Sequence, residues 1–476
     1  MTKVIRGGIC DRMEMTTPTV TEIAWQDPFD AARRLYRFGG LSFLDSAMAH
    51  EVLGRYSFVA ARPFAVFTVD AIGPALSGER IDAAPLQALK GVLARLAMPT
   101  VEGGPPFQGG AMGYIAYEFA HHLENLDQPP DFDPVKPSMV FPLYDVVLAF
   151  DHATKKATCF SSGQPAKGSE RQRQAELRAA DILAALETPL EELPPIPKGF
   201  DWRSNFFAKD YEKAIEATRE YVLAGDIFQA NIAQTFTSHL PQGFDPLALY
   251  SRLRRTNAAP FGAFLDCGET VVASSSPERF LSLTPSGHVE TRPIKGTAKR
   301  ADDPAEDAAL SAELEASEKD RAENVMIVDL MRNDLARVCE VDSIEVPVLC
   351  GLETYAAVHH LVSVVTGQLQ ADLGLAELIG ATFPGGSITG APKIRAMDII
   401  SEIEKARRGP YCGSIGYIGF NGAMDLNIAI RTVTFEDGVA RLAAGGGITV
   451  LSDPKAEYEE TFTKAQRVFA AFEDER

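Results

Sequence analysis

Short runs in which apolar and polar residues alternate, separated by turn residues, dominate this chain. Phe280-Leu281-Ser282-Leu283-Thr284 is one such run, closed by a Pro-Ser-Gly-His turn. Period-two alternation is the mark of a half-buried strand. Similar segments run from Leu41 to Ser46, Gly54 to Ala60, Met112 to Tyr117, Pro142 to Phe150, Ala157 to Ser161, Asp226 to Gln234, Phe261 to Asp266, Tyr355 to Leu369, Ser414 to Phe420, Asp425 to Phe435 and Val439 to Gly445. Helical periodicity is confined to fewer stretches, among them Pro85 to Leu96, Glu170 to Leu186, Tyr211 to Ala224, Pro246 to Arg255, an acidic segment from Asp302 to Leu335, and the last segment from about Pro454 to Glu473. Strands outnumber helices and no repeating βαβ rhythm appears, so the expected class is α+β with mostly antiparallel sheet.

The chain has 476 residues, enough for one large domain or two to three average ones. Glu191 to Lys198, with its consecutive prolines, is the best linker candidate, because proline interrupts both helix and ladder. The expected organisation is a disordered start over residues 1–18, an N-terminal subdomain over 19–190, a linker over 191–204 and a catalytic domain over 205–476. A formal net charge of -19 repels nucleic acid and anionic lipid, so neither is an expected partner. An anionic small substrate would need local cations. The six cysteines are scattered without a C-x-x-C pair, which argues against a zinc site or disulfide framework and for a reduced, cytoplasmic protein. No apolar run approaches the ~20 residues of a membrane span, and residues 1–18 lack the apolar segment and cleavage site of a signal peptide.

Several residues stand where chemistry is expected. Lys295 lies between Pro293 and Gly296 at the end of a predicted hairpin, with its backbone ordered by the proline. Glu457 and Glu460 are three apart on the last helix and share a face with Lys464. Glu323 lies in another helical run. A few carboxylates with open positions suit Mg²⁺, which keeps several waters and takes substrate oxygens. Gly445-Gly446-Gly447, just before the last helix, offers backbone N–H groups and close approach. Arg431, in a predicted strand, suits bidentate carboxylate binding. Ser387-Ile388-Thr389 at a predicted helix start either binds an anion through N–H groups or merely caps the helix.

Taken in order, these segments resemble the chorismate-utilising enzymes, a family that includes the first components of anthranilate and aminodeoxychorismate synthases, and isochorismate and salicylate synthases. The segments that carry the resemblance are Asp226 to Asn231, Ser276 to Phe280, Pro293 to Thr297, Asp320 to Asp334, Gly351 to Ser363, Pro384 to Met397, Tyr411 to Gly416, Asp425 to Thr432 and Gly445 to Thr461. Leu44 to Ser46, Gly54 to Ala60 and Gln108 to Tyr117 extend it into the first half. The resemblance implies a large, mostly antiparallel β-sandwich flanked by helices. It implies Mg²⁺ on Glu323 and Glu460, with Glu457 beside them. It also implies chorismate contacts from Arg431, Tyr411, Gly445, Gly447, Lys464, His360, Ser387 and Thr297. Ser46, Arg55, Tyr56 and Ser57 resemble the tryptophan pocket of feedback-inhibited members, except that Asp45 replaces the usual glutamate; a non-regulatory role is expected.

Two positions separate the members. Pro293-Ile294-Lys295-Gly296-Thr297 resembles the P-I-K-G-T of aminodeoxychorismate synthases, where anthranilate synthases carry alanine at the lysine. The resemblance implies that the Lys295 amine attacks ring carbon C2, the C4 hydroxyl leaves with a proton from Glu278, and ammonia then attacks C4 and expels the lysine. Gln229 stands where isochorismate and salicylate synthases carry a basic lysine, and an amide cannot act as that base. Nothing in the chain resembles a glutamine amidotransferase, so a separate subunit is implied as the ammonia source.

Overall fold

A computed structural model describes residues 17–48, 53–355 and 358–473. Most of the expected disordered start, residues 1–16, lies outside the described residues. Two 12-stranded sheets carry the fold, and among the described residues their strands pair antiparallel. One sheet runs from Thr19–Ile23 at one edge, through Ser42–Asp45, Phe261–Asp266, Thr270–Ser276, Thr432–Glu436 and Val439–Ile448, to Gln229–His239 and Arg203–Ser204. The other runs from Ile294–Lys299 through Val358–Gln368, Arg279–Leu283, Met424–Asn427, Ser414–Gly419 and Gly110–Ile115 to Met139–Tyr144 and the Glu79–Arg80 edge. Phe58, Val147 and Phe160 of the first sheet pack on Met112, Tyr144 and Tyr417 of the second. Tyr114, Val140 and Ile415 meet Ala263, Leu265 and Val272 in the same way. This is the expected sandwich. Strands such as Gly110–Ile115, Met139–Tyr144 and Ser414–Gly419 are buried along their whole length. Their second face is covered by helices, including Pro85–Arg95 and Leu375–Thr382.

The segment 191–204 joins two stretches of chain that do not form separate sheets. Ser42–Asp45 from the first half pairs with Phe261–Asp266 from the second, and Gly110–Ile115 pairs with Ser414–Gly419. A buried ion pair reinforces this seam. Asp45, 1% exposed, accepts from Arg254 Nε at 2.8 Å and from the Tyr250 hydroxyl at 3.1 Å, both on the helix Pro246–Thr256.

Local chemistry explains three departures from the sequence reading. The acidic segment is two helices, Pro304–Ala316 and Glu318–Ala336, because Ser317 turns extended and caps the second by accepting from Asp320 N. Ser387 and Thr389 do not cap the following helix, which starts at Lys393; they lie in a 3₁₀ turn, Gly386–Ile388, and the residue after it. The strand expected from Asp425 to Phe435 is interrupted, with Arg431 in a bend at φ +52° between Met424–Asn427 and Thr432–Glu436.

Removing one partner of a buried ion pair leaves an uncompensated charge. Asp45→Ala is therefore expected to lower unfolding stability by ~3–5 kcal/mol, read as a shift in urea denaturation, and replacement of both Asp45 and Arg254 by apolar residues to recover most of it.

Candidate active site

Lys295 does not end the hairpin strand; it begins a new one. Pro293 closes the preceding segment, and its carbonyl accepts from Ser363 N at 3.1 Å. The strand Ile294–Lys299 then pairs with Val358–Gln368, Lys295 opposite Leu361 and Thr297 opposite His360. Gly296, at φ +81°, is the extra residue of the bulge between them. A Cβ at Gly447 would lie 3.3 Å from Lys295 Nζ and 2.2 Å from Gln229 Nε2, so a larger residue there would displace the Gln229 amide. Burial lowers the Lys295 pKa, with Lys464 adding to the shift and Glu323 opposing it.

Glu278 is 4% exposed and accepts from Ser387 Oγ at 2.7 Å and, more weakly, from Ile294 N at 3.4 Å. Burial raises its pKa to about 7, against the opposing influence of Ser387 and Lys295. The Ser387 hydroxyl thus supports the acid instead of capping a helix. His360, 2% exposed, is bonded at Nδ1 to Thr297 Oγ1 at 2.9 Å, and burial and Arg431 push its pKa down to about 3. It is a neutral imidazole whose Nε2 has no partner among the described residues. Arg431 is brought to the same region by its left-handed bend, which Ser275 fixes by donating to the Arg431 carbonyl at 3.1 Å. Burial lowers its pKa to about 10, with Arg467 adding to that and Glu278 opposing it.

The three glutamates come from two helices. Glu323 is on Glu318–Ala336, while Glu457 and Glu460 are on Pro454–Ala470, which Asp453 caps by accepting from Ala456 N. Glu457 Oε2 and Glu460 Oε1 lie 3.0 and 3.7 Å from where a Gly446 side chain would begin. Lys464 donates to the Gly445 carbonyl at 2.8 Å and pairs with Glu460 at 2.7 Å. Burial raises the pKa of Glu323 and of Glu457, and Glu460 adds to both shifts by like-charge repulsion. Partial burial pushes Glu460 up too, but Lys464, Lys319 and Lys295 together outweigh it and the net shift is down. Among the described residues no three such side chains form a ready metal cage. Neighbouring carboxylates that raise one another's pKa nevertheless fit a divalent ion that takes few protein ligands and completes its shell with water and substrate.

Sequence reasoning missed the supports behind these residues. The buried Arg408 guanidinium donates to Glu404 (2.6 and 3.0 Å), to the Asn231 carbonyl (2.6 Å) and to the Ile388 carbonyl (3.1 Å). It also lies over the rings of Tyr117 and Tyr411, at 4.5 and 5.9 Å. Its only sequence signal is the i, i+4 spacing to Glu404, which equally describes a surface pair. Asn324, fully buried, donates to the Leu361 carbonyl at 3.2 Å and accepts from Ser363 Oγ, which seats the Glu323 helix against Lys295's partner strand.

Away from this region, Leu44, Asp45, Ser46, Arg55, Tyr56 and Arg279 are among the residues lining a cavity of about 260 Å³. Ser46 Oγ donates to the Tyr56 carbonyl at 2.6 Å, and Ser57 Oγ, behind the wall, accepts from Ser46 N at 3.0 Å. Arg55 is drawn to Asp151 at 2.8 Å.

A family model described as chorismate binding enzyme matches residues 54–470. The chain is 40% identical over 470 residues to aminodeoxychorismate synthase component 1 of Klebsiella aerogenes, covering 96% of this chain and 100% of that one. It is 37% identical over 438 residues to anthranilate synthase component 1 of Streptomyces coelicolor, covering 90% and 83%. Among solved structures, anthranilate synthase component I from Streptococcus pneumoniae TIGR4 superposes with a TM-score of 0.79 at 32% identity, covering 88% of this chain and 93% of that one.

The Glu278 carboxyl ionises near 4.5 in an unfolded chain and at about 7 in the folded one. Its contribution to stability is therefore full below the lower value and is lost as pH rises through the upper one. Relative to Glu278→Gln, wild-type stability is expected to fall by ~3 kcal/mol between about pH 4 and about pH 8 in urea unfolding. Equal slopes in the two proteins would place the late-titrating proton elsewhere.

Proposed function

This chain belongs to the chorismate binding enzymes, and on that premise we propose that it is the aminating component of an aminodeoxychorismate synthase, converting chorismate and ammonia to 4-amino-4-deoxychorismate and water. The observation that carries the reading is a half-buried amine beside a buried acid: the Lys295 pKa is lowered, the Glu278 pKa is raised, and each carries a field felt by the other. An anthranilate-forming site, where ammonia attacks C2 directly, has no use for an amine at that position.

In this reading the neutral Lys295 amine forms a bond to C2 while the ring double bonds shift, and the C4 hydroxyl departs as water with the Glu278 proton. Ammonia then forms the C4–N bond and the double bonds shift back. The C2–Nζ bond breaks, its electron pair returning to Lys295, and the new ammonium gives a proton to the Glu278 carboxylate. A pKa near 7 suits a group that must donate and then accept. Arg431, near Glu278 and the neutral His360, would bind the enolpyruvyl carboxylate, with Tyr411 and the backbone at Gly445 and Gly447 closing around it. Lys464 would add positive charge, Thr297 would hold His360, and Ser387 would orient Glu278. Glu323 and Glu460, with Glu457 beside them, would hold Mg²⁺, whose chemistry there is stabilisation of negative charge on the ring carboxylate.

The ammonia source in this reading is a glutamine amidotransferase subunit, in keeping with the name component 1 carried by relatives such as that of Klebsiella aerogenes. The product would feed 4-aminobenzoate and folate synthesis. Among the described residues no helix is long and apolar enough to cross a membrane. Free cysteines at 159, 267, 339, 350 and 412 suit a reducing, cytoplasmic setting. The cavity beside Ser46, Arg55 and Tyr56 has room for an indole-sized group, and a structural role fits it better than regulation, because the Asp45 carboxylate is engaged by Arg254 and Tyr250.

Chorismate, Mg²⁺ and ammonium should yield 4-aminobenzoate only after a lyase is added; fluorescent anthranilate without a lyase would reject the reading. Lys295→Ala is expected to abolish C4 amination and to remove an adduct seen by intact-mass spectrometry in the wild type. Glu278→Gln should slow turnover ~10²–10⁴-fold.

A further inference from the structure

A second cavity, of about 170 Å³, is lined by strands of both sheets and by the turn at Arg408, Gly409 and Pro410. It shares no lining residue with the cavity beside Ser46, and Lys295, Glu278 and the three glutamates lie outside its walls. Two charges on these walls are left unanswered by the fold. Arg441, opposite Thr434 in the ladder of the first sheet, has its Nε buried without a partner among the described residues. Its field reaches Asp437, but that carboxylate bonds Lys136 instead, at 2.8 Å. The other cations of this wall are already used: Arg407 pairs with Glu436 at 2.6 Å, and Lys136 lies 3.3 Å from the same group.

Glu118 comes from the other sheet's side, in the 3₁₀ turn Tyr117–His122 that follows Gly110–Ile115. Its carboxylate accepts from the backbone N–H groups of Arg408 at 2.6 Å and Gly409 at 3.0 Å, and among the described residues no cationic side chain bonds it. Burial raises its pKa, against those bonds and the field of Arg407. His121, on the same turn and the same wall, has its Nδ1 buried without a partner among the described residues. A desolvated donor without an acceptor and a desolvated carboxylate without a cation are each costly. An anion alone would answer Arg441 and be opposed by Glu118; a cation alone would reverse the conflict. A molecule that carries both signs answers both. The volume is close to the ~150 Å³ that admits a benzene-sized guest, which leaves room for about six to eight non-hydrogen atoms. Thr270 and Thr434 keep the remaining wall polar, which disfavours an apolar guest.

We propose that this cavity is a binding site for a small zwitterion with one carboxylate and one ammonium group, of the size of a short amino acid: Arg441 takes the carboxylate and Glu118 the ammonium. The site is additional to the reaction centre and does not depend on the reaction proposed above.

The test is isothermal titration calorimetry on the full chain. The probes are L-alanine and 4-aminobutyrate, which set the two charges closer together and farther apart, and propionate and ethylamine, which carry one charge each. The expected result is saturable binding of at least one zwitterion, with propionate and ethylamine each weaker by about tenfold or more, the loss of one charge-assisted hydrogen bond. Arg441→Gln and Glu118→Gln should each weaken the zwitterion by a similar factor. Arg441→Gln gives up no bond within the protein, so its urea unfolding midpoint should stay at the wild-type value; if Glu118→Gln does not fold, Arg441→Gln decides. No saturable binding of either zwitterion would overturn the proposal, as would an affinity unchanged in Arg441→Gln. Propionate or ethylamine binding as tightly as the zwitterion would make this a site for a single charge and overturn it as well.

Discussion

Desolvation is the constraint on which the site depends. A solvated lysine and glutamate at neutral pH are both charged, and one is useless as a nucleophile and the other as an acid. Here burial is the largest influence on both, and it pushes each toward its neutral form. Their mutual attraction, which favours the charged pair, is the smaller effect. The same burial keeps His360 neutral and pulls Arg431 down. The sandwich can impose this because the sheet strands behind the site are covered on both faces.

Holding uncharged groups in place calls for rigid supports, since no strong ion pair fixes them. Arg408 supplies one, tying the helix Lys393–Glu404, the backbone of Asn231 and the turn that carries Ser387. Glu404 extends the tie by accepting from Ala233 N at 2.8 Å. A planar donor fork meeting two carbonyls and a carboxylate sets direction as well as distance. Asn324 and Ser363 do the corresponding work on the Glu323 side.

How far the sequence reading carried differs by type of information. Alternation and turn residues identified the strands, and the family motifs led to Lys295, Glu278, Glu323, Arg431 and Glu460, which the structure gathers in one region. What stayed illegible depends on long-range bonds. The Arg431 bend follows from Ser275, far away in sequence, and an apolar flank such as Ile428 and Ile430 looks the same in a strand. Ser387 reads as a cap because a serine near a helix start usually is one; only the fold turns its hydroxyl to Glu278. The break at Ser317 was within reach, since serine is neutral in a helix but strong as a cap. The cavity that Arg441 and Glu118 share leaves no trace in sequence at all.

The interleaving of the two halves bears on how the chain is made. A ribosome that has released only the first two hundred residues has emitted Ser42–Asp45 and Gly110–Ile115, but their neighbours Phe261–Asp266 and Ser414–Gly419 do not yet exist. Those bare edges must wait through most of translation, inviting the wrong neighbour. Nascent chains of this protein should therefore be strong clients for ribosome-associated chaperones, and the two halves are poor units for shuffling between relatives, since each completes the other's sheets.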